Sequence, residues 1–397
     1  MESSSPEVKR IVSLDLLRFL AAIFVVFGHI HVECIKITSM IGQWFFFGMR
    51  SVGMTFFFIL SGFVISINYP ILGKKGIGLK RYFIHRISRI YPLFILIFLY
   101  EMLYVGNFPR ETTVLDVFTF FCSYVTLTHA WFYSEFAHTI FSIFIFGVSW
   151  SLSVEFFFYL VYPFIQKVLE KLKIKNYKHF LSVFTLLLGI TLFIYYQMSL
   201  PQVKSEGIDF DSSEIRWFVY FSPYLSVLEF IMGCLIGRIY LSAPKEWTYI
   251  ESRFKNYFLS ASLISVLLIH VIVIYRIHPQ PYTQYEAFYV LSRGLGPFCA
   301  YIIFYVARYI DLSKRANTII LLGDLSYPIY LIHWTFLGKM FGLREFNSWI
   351  TYGFTIIFMF SFLIFFAYGL LKLYDIPVRT GFKRCLIKWF CPSHTPL

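Results

Sequence analysis

The sequence predicts an all-α fold, a polytopic bundle of transmembrane helices, and three observations carry that expectation. Of 397 residues, 58% are hydrophobic and 14% charged, too little polar surface to coat a soluble globule. Apolar runs of about 20 residues, the length that crosses a bilayer, recur along the chain. The 35 Lys and Arg residues fall in short clusters between those runs, the distribution of cytoplasmic loops. The net charge of +13, spread in this way, points to lipid headgroups as partners and not to nucleic acid. The 49 Phe and 29 Tyr suit lipid-facing and interfacial positions.

The basic clusters lie at Lys9-Arg10, 74–89, 167–178, 238–255, 308–315 and 372–388. If all are cytoplasmic, the chain makes a return trip between each and the next, and both termini are inside. The implied crossings run near 12–32, 45–68, 90–106, 146–166, 180–199, 216–238, 257–276, 286–308, 318–340 and 349–373, about ten in all. The first carries embedded Asp15 and Arg18 with no small-residue cleavage site after it, so it is expected to persist as a helix and not to be removed as a signal peptide. The segment Val114 to Trp131 is left over and is expected to be re-entrant or interfacial, walling a central site together with Ala137 to Ser149. The division is then an integral membrane domain over 1–380 and a basic cytoplasmic tail over 381–397. None of the six cysteines has metal-ligand spacing, so no metal is expected and they read as plain thiols.

Four elements carry polar groups where lipid-facing side chains would be cheaper. Arg18 and His29 stand eleven positions apart, about three turns, so they share a helix face about 16 Å apart. A cation at membrane depth costs about 3 kcal/mol and is expected to face a polar cavity; the alternative is an Arg snorkelling to the surface and a His bonding a neighbouring helix. In Gly147-Val-Ser-Trp-Ser-Leu-Ser-Val-Glu-Phe-Phe-Phe-Tyr159, residues Ser151, Glu155 and Tyr159 share a face. Glu155 is then a functional carboxylate paired with a cation of the first helix, or half of a structural ion pair. Arg86 and Arg89 fall on one side of a helix start, suited to a phosphate-rich ligand or to anionic headgroups. Ser326, Tyr330 and His333 form an i, i+4, i+7 stripe for interhelix bonding or for catalysis.

On these residues the chain resembles the membrane acyltransferase family called acyltransferase 3. The resembling elements are Leu14-Asp-Leu-Leu-Arg18 with His29, Phe57-Phe-Ile-Leu-Ser-Gly-Phe63, Arg86-Ile-Ser-Arg-Ile-Tyr-Pro92, Trp150-Ser-Leu-Ser-Val-Glu155, Glu229-Phe-Ile-Met-Gly233 and Ser326-Tyr-Pro-Ile-Tyr-Leu-Ile-His333, in the family's order from end to end. The resemblance implies about ten helices in a cell membrane and transfer of an acyl group, often acetyl, from cytoplasmic acyl-CoA to a hydroxyl of a surface glycan, lipid-linked sugar or small molecule. Two departures narrow it. Phe156 stands where peptidoglycan-type members carry a second acid, and an appended esterase-like domain is not expected, so a stand-alone O-acyltransferase is implied.

Acyl transfer from a thioester needs a base, oxyanion stabilisation and a grip on the CoA phosphates. His29 is the expected general base, with Glu155 orienting it; an acyl-histidine intermediate is a variant. Arg86 and Arg89 would hold acetyl-CoA phosphates, and Arg18 would polarise the carbonyl or bind a phosphate. Asp15, Trp150, Ser151, Ser153, Tyr159, Ser326, Tyr330 and His333 are the expected substrate-contacting or supporting residues. The oligomeric state is left open. A secondary transporter or glycan exporter would also bury Arg, His and Glu, but should show repeat symmetry and matched broken helices, which the sequence lacks. A scaffold without chemistry gives no reason for an Arg pair at one mouth facing His and Glu near the other. The topology is testable by external thiol labelling of a cysteine placed at Lys173 in a cysteine-free background. It should label only in permeabilised cells, and labelling of intact cells overturns the ten-crossing arrangement.

Overall fold

A computed structural model describes residues 10–33, 40–73, 77–104, 108, 112–136, 139–140, 146–171, 214–242, 295–340 and 349–391, with isolated positions between 186 and 193 and at 260. The helices are α1 (Val12–Glu33), α2 (Met40–Asn68), α3 (Leu79–Tyr104), α4 (Val114–Val125), α5 (Trp150–Lys171), α6 (Pro223–Ser242), α7 (Gly296–Tyr309), α8 (Ala316–Met340), α9 (Trp349–Leu370) and α10 (Ile376–Phe390). A two-residue hairpin, Glu135–Phe136 with Thr139–Ile140, is the strand pairing among the described residues. Seven stretches in these helices are long and apolar enough to cross a bilayer, in α1, α2, α3, α5, α6, α8 and the continuous α9 to α10 rod. Of the ten expected crossings, those near 180–199 and 257–276 fall essentially outside the described residues, and that near 286–308 is described from Leu295 onward as α7.

Val114–Val125 rises only about 18 Å over its 12 residues, well short of the ~30 Å hydrocarbon layer. Thr113 caps it, its hydroxyl accepting from the Asp116 amide while the Asp116 carboxylate accepts from the Thr113 amide, a capping box legible as Thr-x-x-Asp. The chain then turns through Leu127, whose φ of +56° costs about 1–2 kcal/mol for a side-chain-bearing residue. Ser153 of α5 holds that turn: its hydroxyl donates to the Leu127 carbonyl at 2.7 Å and accepts from the Ala130 amide at 3.1 Å.

Lipid supplies little driving force for helices to associate, so close approach must come from small residues. Gly62 of α2 and Gly233 of α6 interlock: a Cβ on Gly62 would lie 2.0 Å from the Phe230 carbonyl oxygen, and one on Gly233 2.0 Å from the Ile59 carbonyl oxygen. Gly237, one turn on, faces Ser66, whose hydroxyl donates to the Cys234 carbonyl at 3.1 Å. The Gly233-Cys-Leu-Ile-Gly237 spacing is therefore a helix-contact stripe, one that the sequence reading did not single out. Gly53 serves α2 against Ala21 and Val25 of α1, and Gly323 of α8 lies against Asp15 of α1. Ala21, Ala22, Val25 and Val26 of α1 are all fully enclosed as a result.

These contacts gather the positive charge at one end of the bundle. The Tyr69 and Pro70 carbonyls after α2 accept from Tyr162 and Gln166 of α5 and from Arg238 of α6. Ser13 at the start of α1 donates to Val306, two residues before Arg308. Arg10, Arg86 and Arg379 line one cavity at the same end. Each of the six basic clusters thus has a member at, or within two residues of, this basic end, the same-side arrangement that the charge pattern requires. Residues 380 and 381, where the expected tail begins, lie inside α10, which continues α9 through a π turn at Leu371–Asp375 and packs along the start of α3, Phe382 stacking on Tyr91. Gly233→Ala should lower stability by about 1–3 kcal/mol, the cost of overpacking a tight contact, and thermal unfolding in detergent would measure it. An unchanged midpoint would mean that the two backbones do not approach so closely.

Candidate functional site

The first helix contributes the site's charged frame. Asp15, almost fully buried, accepts from Arg10 through two bonds of 2.7 and 3.0 Å and from Arg18 at 3.2 Å. Arg10 also reaches Asp324 of α8 at 3.2 Å. A bidentate carboxylate clamp of this kind fixes guanidinium direction as well as charge. It requires Gly323, because a Cβ there would lie 2.5 Å from the Asp15 Cβ. The Gly-Asp start of the Gly323 to His333 stripe is thus a seat for the α1 carboxylate.

Two adjoining cavities follow from this frame. The outer one, about 390 Å³, opens at the basic end among Arg10, Asp15, Asp324 and Arg379. The inner one, about 90 Å³, is lined by Met54, Phe57, Phe58, Ser61, Ser151, Glu155, Ser326 and Tyr330 among others. Arg18, Arg86, Arg89 and Tyr327 line both, so three guanidiniums ring the junction. Arg86 donates to the Tyr69 hydroxyl at 3.1 Å and its guanidinium lies over the Tyr69 and Tyr159 rings, 4.9 and 5.8 Å from their centroids. Arg89 has no hydrogen-bond or ion-pair partner among the described residues. Near the three guanidiniums stand Asp15, already shared by two arginines, Glu155, which accepts from Tyr159 at 2.5 Å and from Ser61 at 3.4 Å, and Asp375, on which the charge of Arg89 bears. Taken together the two cavities are lined by five guanidiniums, those of Arg10, Arg18, Arg86, Arg89 and Arg379, against the carboxylates of Asp15, Asp324 and Glu155, a surplus of positive charge that suits an anion.

Beyond the inner cavity the polar path continues. Ser151 and the Tyr330 hydroxyl are 2.6 Å apart, and Tyr330 also donates to the Val148 carbonyl at 3.1 Å. One turn further along α8, His333 Nδ1 faces the Tyr330 carbonyl at 2.5 Å, and its Nε2 faces His29 Nδ1 at 3.1 Å. His29 Nδ1 also faces the Val25 carbonyl at 2.9 Å. Two carbonyls fix the tautomers of neutral rings, since a carbonyl can only accept. His333 carries its proton on Nδ1 and presents a lone pair at Nε2; His29 carries its proton on Nδ1, shared between Val25 and His333. The Nε2 lone pair of His29 is then the available base.

The expected residues therefore sort into three places. Arg18, Arg86, Arg89 and Asp15 are brought together at the basic end, with Glu155 and Tyr159 beside them. Ser151, Ser326 and Tyr330 line the inner cavity. His29 and His333 form a pair beyond it. Glu155 is not the partner of His29, as the sequence reading expected: its hydrogen bonds come from Tyr159 and Ser61, and the imidazole partner is His333. The error has a physical source, because depth along each helix was estimated from charge flanks alone, while relative depth is set by how α1, α5 and α8 are staggered by their small-residue contacts. Trp150 packs in the core against Phe58, Tyr220 and Phe221, and Ser153 ties down the α4 turn; neither lines either of these two cavities. Tyr327, Ser61 and Tyr69 were missed. The first two sit inside motifs already quoted, whereas a Tyr at a helix end gives no signal. Also missed is buried Glu101 of α3, which accepts from Thr335, two residues past His333.

The described residues thus build a bundle of apolar helices with a cationic cavity at one end and an imidazole pair beyond it. The family comparison supplies the narrower identity: residues 11–371 match the family model described as an acyltransferase domain, and the chain belongs to the acyltransferase 3 family. Relatives include "Acyltransferase MdmB" of Streptomyces mycarofaciens, 24% identical over 59% of this chain and 58% of that protein. Another is "Putative acetyltransferase ORF330" of Acidianus two-tailed virus, 24% identical over 64% of each. The chain thus spans under two thirds of the length of either relative. No solved structure matches.

Asp15→Asn keeps the shape of the clamp and removes its charge from beneath two guanidiniums. It should cost about 1–2 kcal/mol, less than a fully buried pair because Arg10 is half exposed. Thermal unfolding of the purified variant measures this, and no loss would make the clamp electrostatically idle.

Proposed function

We propose that this chain is an O-acyltransferase of a cell membrane, moving an acyl group, in our reading acetyl, from acetyl-CoA on the cytoplasmic side to a hydroxyl of a surface polysaccharide or lipid-linked sugar. The observation that carries the reading is the pair of adjoining cavities, with Arg18, Arg86 and Arg89 at their junction and the His29–His333 pair beyond. A donor with an anionic head and a long uncharged arm fits that order. Its phosphates meet the guanidiniums at the basic end, where bidentate contacts favour Arg over Lys. Its arm passes Met54, Phe57 and Phe58, and its thioester reaches the imidazole pair.

In this scheme His29 Nε2 takes the acceptor hydroxyl proton as the oxygen attacks the thioester carbonyl carbon. The carbon–sulfur bond then breaks, and the thiolate recovers the proton from the His29 imidazolium. His333 is a positioning residue: its Nε2 lone pair accepts from His29 Nδ1–H, holds the ring's tautomer and stabilises the imidazolium while it exists. Arg18 serves the anionic end of the donor and not the carbonyl, because His29 is eleven residues, about 16 Å, further along the same helix. Glu155, hydrogen-bonded by Tyr159 beneath the inner cavity, balances the guanidinium charge and orders the passage for the arm.

His29→Gln should still bind acetyl-CoA yet lose transfer by about 10² to 10⁴-fold, the range for removal of a general base. His333→Gln should lose less and should displace the acid limb of the pH–rate profile, which a purely structural defect would leave in place. Transfer is read by mass spectrometry of cell-surface glycans as a mass shift of one acyl group, alongside donor binding to the purified variants. Near-normal transfer by His29→Gln refutes the base assignment, and an unaltered glycan spectrum on deletion of the protein refutes the acceptor class.

A further inference from the structure

Four side chains beyond those used above gather around Arg86 where α10 packs along the start of α3. Arg81 and His85 stand one turn apart on α3, and Arg379 and Lys383 one turn apart on α10; the charges of Arg81, Arg86 and Arg379 all bear on Lys383, and those of Arg81, Arg86 and Lys383 on His85. Arg379 is held by Asp375 at 3.6 Å. Lys383 and Arg81 have no ion-pair partner among the described residues. The cluster is not a remote surface patch: Arg86 and Arg379 line the outer cavity, as does Tyr69, whose hydroxyl contacts both His85 and Arg86. Like charges packed side by side destabilise a fold unless an anion joins them, and burying part of the group raises that cost.

We infer that Arg81, Lys383 and Arg379, with His85, form a second phosphate subsite at the rim of the outer cavity, which takes the terminal phosphate monoester of a nucleotide-bearing donor. This rests on the donor reading above and deepens it. The two bridging phosphates of coenzyme A fall to the Arg18, Arg86 and Arg89 ring, and the separate ribose 3′-phosphate falls to the α3–α10 rim. The two cationic groups adjoin through Arg86, as the bridging phosphates and the 3′-phosphate adjoin through one ribose. A dianionic monoester also suits a mixture of Lys and Arg donors, because it offers three acceptor oxygens to point charges as well as to forks. The rim then acts as a discriminator: a donor that carries only a phosphopantetheine arm would leave it empty. The subsite depends on α10, which lies past residue 371, where the family match ends.

The test is direct binding of coenzyme A and of 3′-dephospho-coenzyme A to the purified full chain in nanodiscs, first of zwitterionic lipid alone and then with anionic lipid added. The native chain should prefer coenzyme A by about tenfold or more, the value of one charge-assisted contact. Lys383→Gln and Arg81→Gln should each reduce that preference and together abolish it, with affinity for the dephospho form unchanged. That unchanged affinity also reports that the variants are folded. Four results overturn the subsite: equal affinity of the native chain for both ligands, which leaves the donor reading standing; a preference that survives the double substitution; a parallel fall for both ligands in the variants; or competition by anionic lipid that the substitutions relieve, which assigns the rim to headgroups. Binding of neither ligand removes the donor reading and the subsite together.

Discussion

Three guanidiniums in a bundle of membrane helices impose the constraint on which the rest of the structure depends. A buried cation is tolerated only with a carboxylate, an aromatic face or water beside it, and each arginine of the junction meets that demand differently. Arg18 leans on Asp15, Arg86 lies between two tyrosine rings, and Arg89 faces the cavity. The charge of Arg89 also bears on buried Asp375, so the third arginine is met by cavity and carboxylate together. The aromatic faces are not interchangeable with aliphatic ones, because it is the ring quadrupole that stabilises the cation.

Holding that cavity open while keeping its walls rigid falls to the glycines. Gly62, Gly233 and Gly237 bring the α2 and α6 backbones together, and Gly323 lets α8 close on Asp15. These contacts set the stagger of the helices and hence which polar groups meet. The stagger places His29 opposite His333 and leaves Glu155 near the arginines. Side chains are thereby sorted along the bundle: arginines at the basic end, a passage lined in part by Met54, Phe57 and Phe58, and an imidazole pair beyond. The donor proposed above, with its charge at one end and its thioester at the other, follows that order.

What the sequence by itself determined is whatever depends on composition or on spacing within one helix. The membrane class follows from 58% hydrophobic residues. The shared end of the basic clusters follows from charge patterning, and the non-spanning α4 from the odd apolar run left by that count. The common faces of Arg86 with Arg89 and of Ser326, Tyr330 and His333 follow from the 3.6-residue period. Family membership followed from six short motifs in register. The tertiary structure decided the rest. Which helix meets which, and at what depth, depends on close backbone approach between segments hundreds of residues apart, such as Ser151 with Tyr330 or His29 with His333, and no local periodicity encodes that stagger. Trp150 and Ser153 looked functional because they lie in a motif, yet tertiary packing turned them toward the core and the α4 turn. Lys383 looked like part of a basic tail until α10 packed along the start of α3 and set its charge beside those of Arg81 and Arg86.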